Sequence, residues 1–294
     1  MDITRESDTT WLVNRHVAIG VATAFGPRVT SLSEPGGDNI FAELGGMGIG
    51  LPDGRTYLLR GGHRLWVAPE VPETTYEPDA GPVIAVETST GISISQAASD
   101  AVGIEKTIDI SLAGGSVVVT HTLTNRGNAP LRLAPWAITQ LAVGGTAIVP
   151  LPRDLADPHG YQPNASVVLW PYTGVDDDPF RLHDRLILLD ANRSTPTKLG
   201  TSLDRGWLAY ARDGVVFVKW SQHIVGGTYV DRNASGQCYC SAEFLELETL
   251  GQLTDLEPAE SATHVESWEL HRVSPTAPPE DIPALLHLDG GINS

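Results

Sequence analysis

"QCYCSAEFLELETL", residues 237–250, alternates along its length. Leu245 and Leu247 share one side of an extended chain, and Glu246 and Glu248 share the other. If the leucine side is the core, the two glutamates point away from it, into water or into a cleft. The same period of two, rich in β-branched residues, recurs outward in both directions: "HVAIGVAT", "GISISQA", "EKTIDISL", "GSVVVTHTLTN", "LRLAPWAITQL", "GWLAYARD", "GVVFVKW" and "THVESWELHRV". Turn signals such as "EPGGDN", "LPDG", "LAGG", "ARDG" and "NASG" separate these runs at short intervals. Helical periodicity is nearly absent, so the pattern predicts an all-β chain built as a large antiparallel sandwich.

No linker or charge run interrupts the strand pattern, and no repeat of 20 to 50 residues is visible. The reading is one β-sandwich domain over residues 1–273, large enough to suggest a supersandwich. A Pro-rich tail over 274–294 follows, in which "PPEDIPALLHL" can form a short docking helix.

The chain has 294 residues, 41% of them hydrophobic and 19% charged, which suits a globular protein with ample core. Its 36 acidic against 19 basic residues give a net charge of −17. That balance argues against nucleic acid and against anionic membrane surfaces as partners, because no excess of cations exists to neutralise phosphates. No run approaches the 18 apolar residues of a membrane span. The N-terminus lacks the basic start and apolar stretch of a signal peptide, which predicts a cytoplasmic location. Cys238 and Cys240 would share one side of a strand about 7 Å apart, at the edge of disulfide reach, and no zinc-like ligand spacing follows; both are read as reduced thiols, and no metal or cofactor is expected. Lys106, Lys198 and Lys219 are the only lysines.

Four stretches could carry chemistry. "YLLRGGHRLWVAPE", residues 57–70, crowds Arg60, His63, Arg64, Trp66 and Glu70 around a Gly-Gly pair, a composition typical of a binding loop. Trp66 and Arg64 suit a sugar, whose apolar face stacks on a ring while a guanidinium grips its oxygens. "VVLWPYTGVDDDPF" offers Trp170 and Tyr172 on one side; its three aspartates, 176 to 178, lack the spacing and glycine of an EF-hand and read as a solvated loop. In "VFVKWSQHIVGGTYVDRN", Lys219 sits in an apolar strand with His223, Tyr229 and Asp231 downstream, and serves either a structural ion pair or a ligand contact. Lastly, two carboxylates as close as Glu246 and Glu248, placed in a cleft, can raise one pKa and provide an acid or a base.

With "RGGHRLWVAPE" at 60–70, "LWPYT" at 169–173 and "FLELETLG" followed by "LEPAES", the chain resembles the galactose mutarotase-like superfamily, the aldose 1-epimerases and their relatives, over residues 10 to 272. The resemblance is closest to a bacterial branch marked by the first motif. It implies a β-supersandwich of the galactose mutarotase-like type that interconverts sugar anomers, with a late glutamate as general base on the anomeric hydroxyl. By position that glutamate is Glu248, with Glu246 as the near rival. The family's mid-chain histidine, which protonates the ring oxygen, has no counterpart in residues 124–141, where Trp136, Thr139 and Gln140 stand instead. Proton donation would then fall to His63, His223 or Lys219.

The expected site is thus an open concave face carrying Glu248, Glu246, His63 and His223 as catalytic candidates. Arg64, Trp66, Glu70, Trp136, Gln140, Trp170, Tyr172, Lys219, Tyr229 and Asp231 are its candidate contacts to a small-molecule substrate, a sugar or a sugar-like metabolite. The alternatives are a carbohydrate-binding protein without turnover, and acid/base chemistry such as cyclisation, elimination or epimerisation on a non-sugar metabolite, since fold alone does not settle chemistry.

Overall fold

Strand residues make up 51% of the structure and helical residues 6%, as the period-two pattern requires. The structure, a computed structural model, describes residues 1–152 and 157–288. Among these residues the strands form two antiparallel sheets, one of 12 strands and one of 10. Through the middle of the larger sheet run, side by side, Arg28–Ser33, Thr56–Ala68, Leu131–Ala142, Phe244–Leu250, Gly236–Cys240 and Thr197–Thr201. The middle of the smaller sheet is Trp207–Arg212, Val215–Ser221, Ser261–Arg272 and Ser116–Asn125.

Alternation decides which side of each strand meets the other sheet. Leu65, Val67, Leu245, Leu247 and both cysteines pack between the sheets against Phe217, Trp268, Val117 and Val119. Phe41, Phe217 and Trp268 meet edge to face with centroids 5.9 to 6.1 Å apart. Burying each leucine is worth about 2 kcal/mol. A slip of one residue in the Phe244–Leu250 strand would exchange its leucines for Glu246 and Glu248, so the register is firmly set. A second cluster, with Tyr57, Trp66, Tyr76, Trp136 and Phe244, covers the outer side of the larger sheet.

The outer side of the smaller sheet carries Trp207, Val216, Val218 and Trp220, and the chain's last described turn docks there through Ile282 and Leu288. The helix read in "PPEDIPALLHL" is a 3₁₀ turn, Pro279–Asp281, followed by a single α-turn, Ile282–Leu285. Residues 289–294 of the tail lie outside the described residues. No helix among the described residues is long and apolar enough to cross a membrane.

One expectation needs correction. The "RGGHRLW" stretch is no loop but part of a 13-residue strand, Thr56–Ala68, with a bulge at Arg60, Gly61 and Gly62, where φ is +61°, +82° and +71°. A Cβ on Gly61 would stand 1.8 Å from the Ala42 carbonyl oxygen, and one on Gly62 2.2 Å from that of Val29, so both positions demand glycine. The buried Arg28 guanidinium fastens the bulge by donating to the carbonyls of Leu59 and Gly61, each at 2.8 Å, and pairs with Asp79 at 2.8 Å. Asp79 in turn accepts the Tyr57 hydroxyl at 3.0 Å, and that hydroxyl accepts the Trp66 indole N–H at 3.0 Å. The conformation of the bulge therefore fixes the orientation of Trp66.

Candidate active site

The outer side of the larger sheet holds a cavity of about 630 Å³. Its floor is set by register. Gln140, Glu246, Tyr239 and Lys198 form one cross-strand row, and Arg64, Ile138, Glu248 and Gln237 form the next. Trp66 stands opposite Trp136 one row further on. Arg64, Trp66, Glu70, Trp136, Tyr172 and Glu246, all candidates from the sequence, line the cavity, together with Lys198, Tyr76 and Tyr239. Met47 and Ile49, from the Glu43–Gly50 strand beside the bulge, form an apolar wall.

The two glutamates differ in what holds them. Glu246 receives hydrogen bonds on Oε1 alone, from Arg64 Nη2 at 2.9 Å and Gln140 Nε2 at 3.0 Å, which leaves Oε2 without a partner among the described residues. The Arg64 guanidinium lies over the Trp66 ring, its Cζ 4.0 Å from the centroid, which fixes the donor that fixes Glu246. Glu248 is fully buried beneath the cavity floor. Its Oε2 accepts Trp136 Nε1 and Lys198 Nζ, each at 2.8 Å, while its Oε1 is buried without a partner. Burial pushes the Glu248 carboxyl up to about 7; the Lys198 ammonium opposes that rise and the nearby Glu246 adds to it.

Lys198, which the sequence reading passed over, is itself buried and lies against two indoles, those of Trp136 and Trp170, each centroid 4.7 Å from Nζ. Its signal was visible in "PTKLGT": Thr197 and Leu199 face the core, so Lys198 must face the cavity. Glu70 accepts a short hydrogen bond from the Tyr76 hydroxyl. The Tyr239 hydroxyl is pushed up to about 12, chiefly by burial and then by Glu246.

His63 and Lys219 do not belong to this face. His63 follows the parity of Leu65 and Val67 and points between the sheets, fully buried. There His121 Nδ1 donates to the His264 carbonyl at 3.0 Å, so His121 Nε2 accepts from His63 Nε2 at 2.7 Å, and His63 Nδ1 accepts the Thr139 hydroxyl at 2.9 Å. His63, His121 and Glu266 offer ligand atoms within 4.8 Å of one another, yet these bonds use both nitrogens of both imidazoles and leave no lone pair for a metal ion. Burial holds His63 well below the usual histidine range and takes His121 and His264 down to about 3. Lys219 pairs with Glu266 at 2.8 Å and donates to the Ala137 and Leu247 carbonyls at 3.1 and 3.0 Å, tying the strand that carries both glutamates to its neighbour Leu131–Ala142.

His223 lies to one side. It stacks on Tyr229 with centroids 5.0 Å apart, bonds Ser235 Oγ at 2.9 Å and faces Asp204 at 3.3 Å, and does not line the cavity. Tyr229 is buried, its hydroxyl accepting the Ile224 N–H at 2.9 Å. Asp231 accepts from Gln237 Nε2 at 2.8 Å, and Gln237 is the cross-strand partner of Glu248. Among the described residues no histidine lines the cavity. Cys238 and Cys240 are free and buried. Asp176 and Asp178 are exposed.

No family model and no curated protein matches this sequence. Solved structures do match the fold. A galactose mutarotase-like protein from Lactobacillus casei ATCC 334 superposes with a TM-score of 0.57 at 12% identity, covering 90% of this chain and 100% of that one. A galactose mutarotase related enzyme from Lactobacillus acidophilus gives 0.53 at 9% identity, covering 90% and 98%. A TPR-domain containing protein from Parabacteroides distasonis gives 0.61 at 14%, covering 92% of this chain and 49% of that chain. At these identities the likeness concerns the fold, which is the galactose mutarotase-like β-sandwich.

Proposed function

We propose that this chain interconverts the anomers of an aldose in the cavity of the larger sheet, with Glu246 as the base on the anomeric hydroxyl. The observation that carries the reading is the Glu246 carboxylate: Arg64 and Gln140 pin one oxygen, and the other is left for a ligand between aromatic walls. Glu248, the first choice by position, is sealed below the floor and is better suited to hold its neighbours than to touch substrate. Trp66, Trp136 and Tyr172 supply faces for a sugar ring. The names of the structural neighbours, mutarotase-like and mutarotase related, support the same reaction class.

The test is anomer exchange followed by NMR on a panel of free aldoses. Glu246→Gln is expected to lower the rate at least ~100-fold, the usual worth of a positioned base, while leaving the fold intact. A wild-type protein that accelerates exchange of no aldose overturns the reading. A second reading, sugar binding without turnover, draws on the lack of histidine in the lining among the described residues. Saturable calorimetric binding of a sugar with no exchange would favour it.

A further inference from the structure

Ring opening needs a proton at the ring oxygen as well as a base at the anomeric hydroxyl, and the cavity offers few donors. Arg64 stays protonated at any working pH. The Tyr76 hydroxyl is engaged by Glu70, and burial pushes the hydroxyls of Tyr172 and Tyr239 up, which makes both poor acids. Lys198 remains. It lines the cavity in the same cross-strand row as Glu246, with only Tyr239 between them. Adjacent strands lie about 4.8 Å apart, so the two backbones are on the order of 10 Å apart and both side chains are long enough to close on one ring. The Trp136 and Trp170 rings, each centroid 4.7 Å from Nζ, confine the ammonium. Glu248 takes one of its three N–H groups, which leaves two for a ligand.

Resting on the anomer-exchange reading, we infer that Lys198 is the catalytic residue that protonates the ring oxygen, standing where the sequence offers no mid-chain histidine, and that buried Glu248 is the positioning residue that holds its ammonium toward the substrate. Glu246 Oε2 takes the anomeric hydroxyl proton as the C1=O bond forms. The C1–O5 bond breaks with its electron pair going to O5, and O5 takes a proton from Lys198 Nζ. The open aldehyde turns about C1–C2. Attack by O5 on the other face of C1 returns one proton to Lys198, and the new anomeric oxygen takes the other from Glu246. No group is consumed.

The experiment measures exchange of D-glucose and D-galactose against pH for wild type, Lys198→Met, Lys198→Arg and Glu248→Gln, with circular dichroism as the check on folding. Lys198→Arg keeps the charge and the ion pair but holds its proton too tightly to give it up. It is expected to fold, to bind with KM within about threefold of wild type, and to lose kcat at least ~100-fold together with the alkaline limb of the profile. Glu248→Gln is expected to move the pH profile more than KM. Lys198→Arg with wild-type kcat and an unchanged alkaline limb would overturn the role of Lys198 while the anomer-exchange reading stands, even if Lys198→Met failed to fold. Wild type silent on both sugars and on the wider panel overturns the two together.

Discussion

The same central strands carry two polar clusters, one on each side, and the clusters behave oppositely. Toward the cavity stand Arg64, Gln140, Lys198, Glu246 and Glu248; toward the other sheet stand His63, Thr139 and Thr249, which meet Lys219 and Glu266 of that sheet. The inner cluster is closed: each imidazole nitrogen of His63 and His121 has a partner, and Lys219 serves a carboxylate, a hydroxyl and two carbonyls. The outer cluster keeps capacity in reserve, at Glu246 Oε2 and on the Lys198 ammonium. Equal burial therefore does not mean equal role. What separates a structural charge from a reactive one here is whether its bonding capacity is used up.

The sharpest way to break that contrast is to remove one member of the inner pair. Lys219→Met should cost about 4 kcal/mol in denaturant unfolding, because Glu266 is left buried and unpaired. The double variant with Glu266→Leu should regain much of that loss. A cost below about 1 kcal/mol for the single variant would mean that the inner cluster does not hold the sheets together.

Acid titration separates the clusters by sign. His121 and His264 are depressed from 6.5 to about 3, so their stability contribution is whole above pH 6.5 and is lost as pH falls toward 3, about 2 kcal/mol for each by pH 5. Glu248 runs the other way. Raised from 4.5 to about 7, it costs stability above pH 7 and gives it back as pH falls from 7 to 4.5, offsetting about half of the histidine loss at pH 5. Denaturant melts at pH 7 and pH 5 should therefore show a larger loss in Glu248→Gln than in wild type. Equal losses would contradict the raised carboxyl.

The smallest effect belongs to the cavity mouth. Tyr172 is 46% exposed, so Tyr172→Ala should change unfolding free energy by less than about 0.5 kcal/mol while raising KM a few-fold, as measured by anomer exchange.

The sandwich was legible because period-two alternation survives in nearly every strand, and in "FLELETL" it placed both glutamates on one side and both leucines on the other. The same rule, applied to "HRLWV", separates Arg64 and Trp66 from His63, Leu65 and Val67. Reading that stretch as a loop, on account of its glycines, put His63 on the wrong side. Lys219 shares the parity of Phe217, which faces the core, and so also belongs inside. The preference for Glu246 over Glu248 as the group that lines the cavity could not be read from the strand, since it depends on Trp136 and Lys198, which arrive from two other strands to cover Glu248.

Lys106, Lys198 and Lys219 are all buried, each beside a glutamate: Glu77 at 3.4 Å, Glu248 at 2.8 Å and Glu266 at 2.8 Å. Lysine therefore adds no charge to the outer surface, and amine-directed reagents meet a molecule whose side-chain amines are all shielded. Acylation of lysine becomes a clock for local opening, with Lys219 the slowest hand because releasing it parts the two sheets. Lys198, beside the cavity, should react sooner, and a sugar seated against it should slow that modification alone.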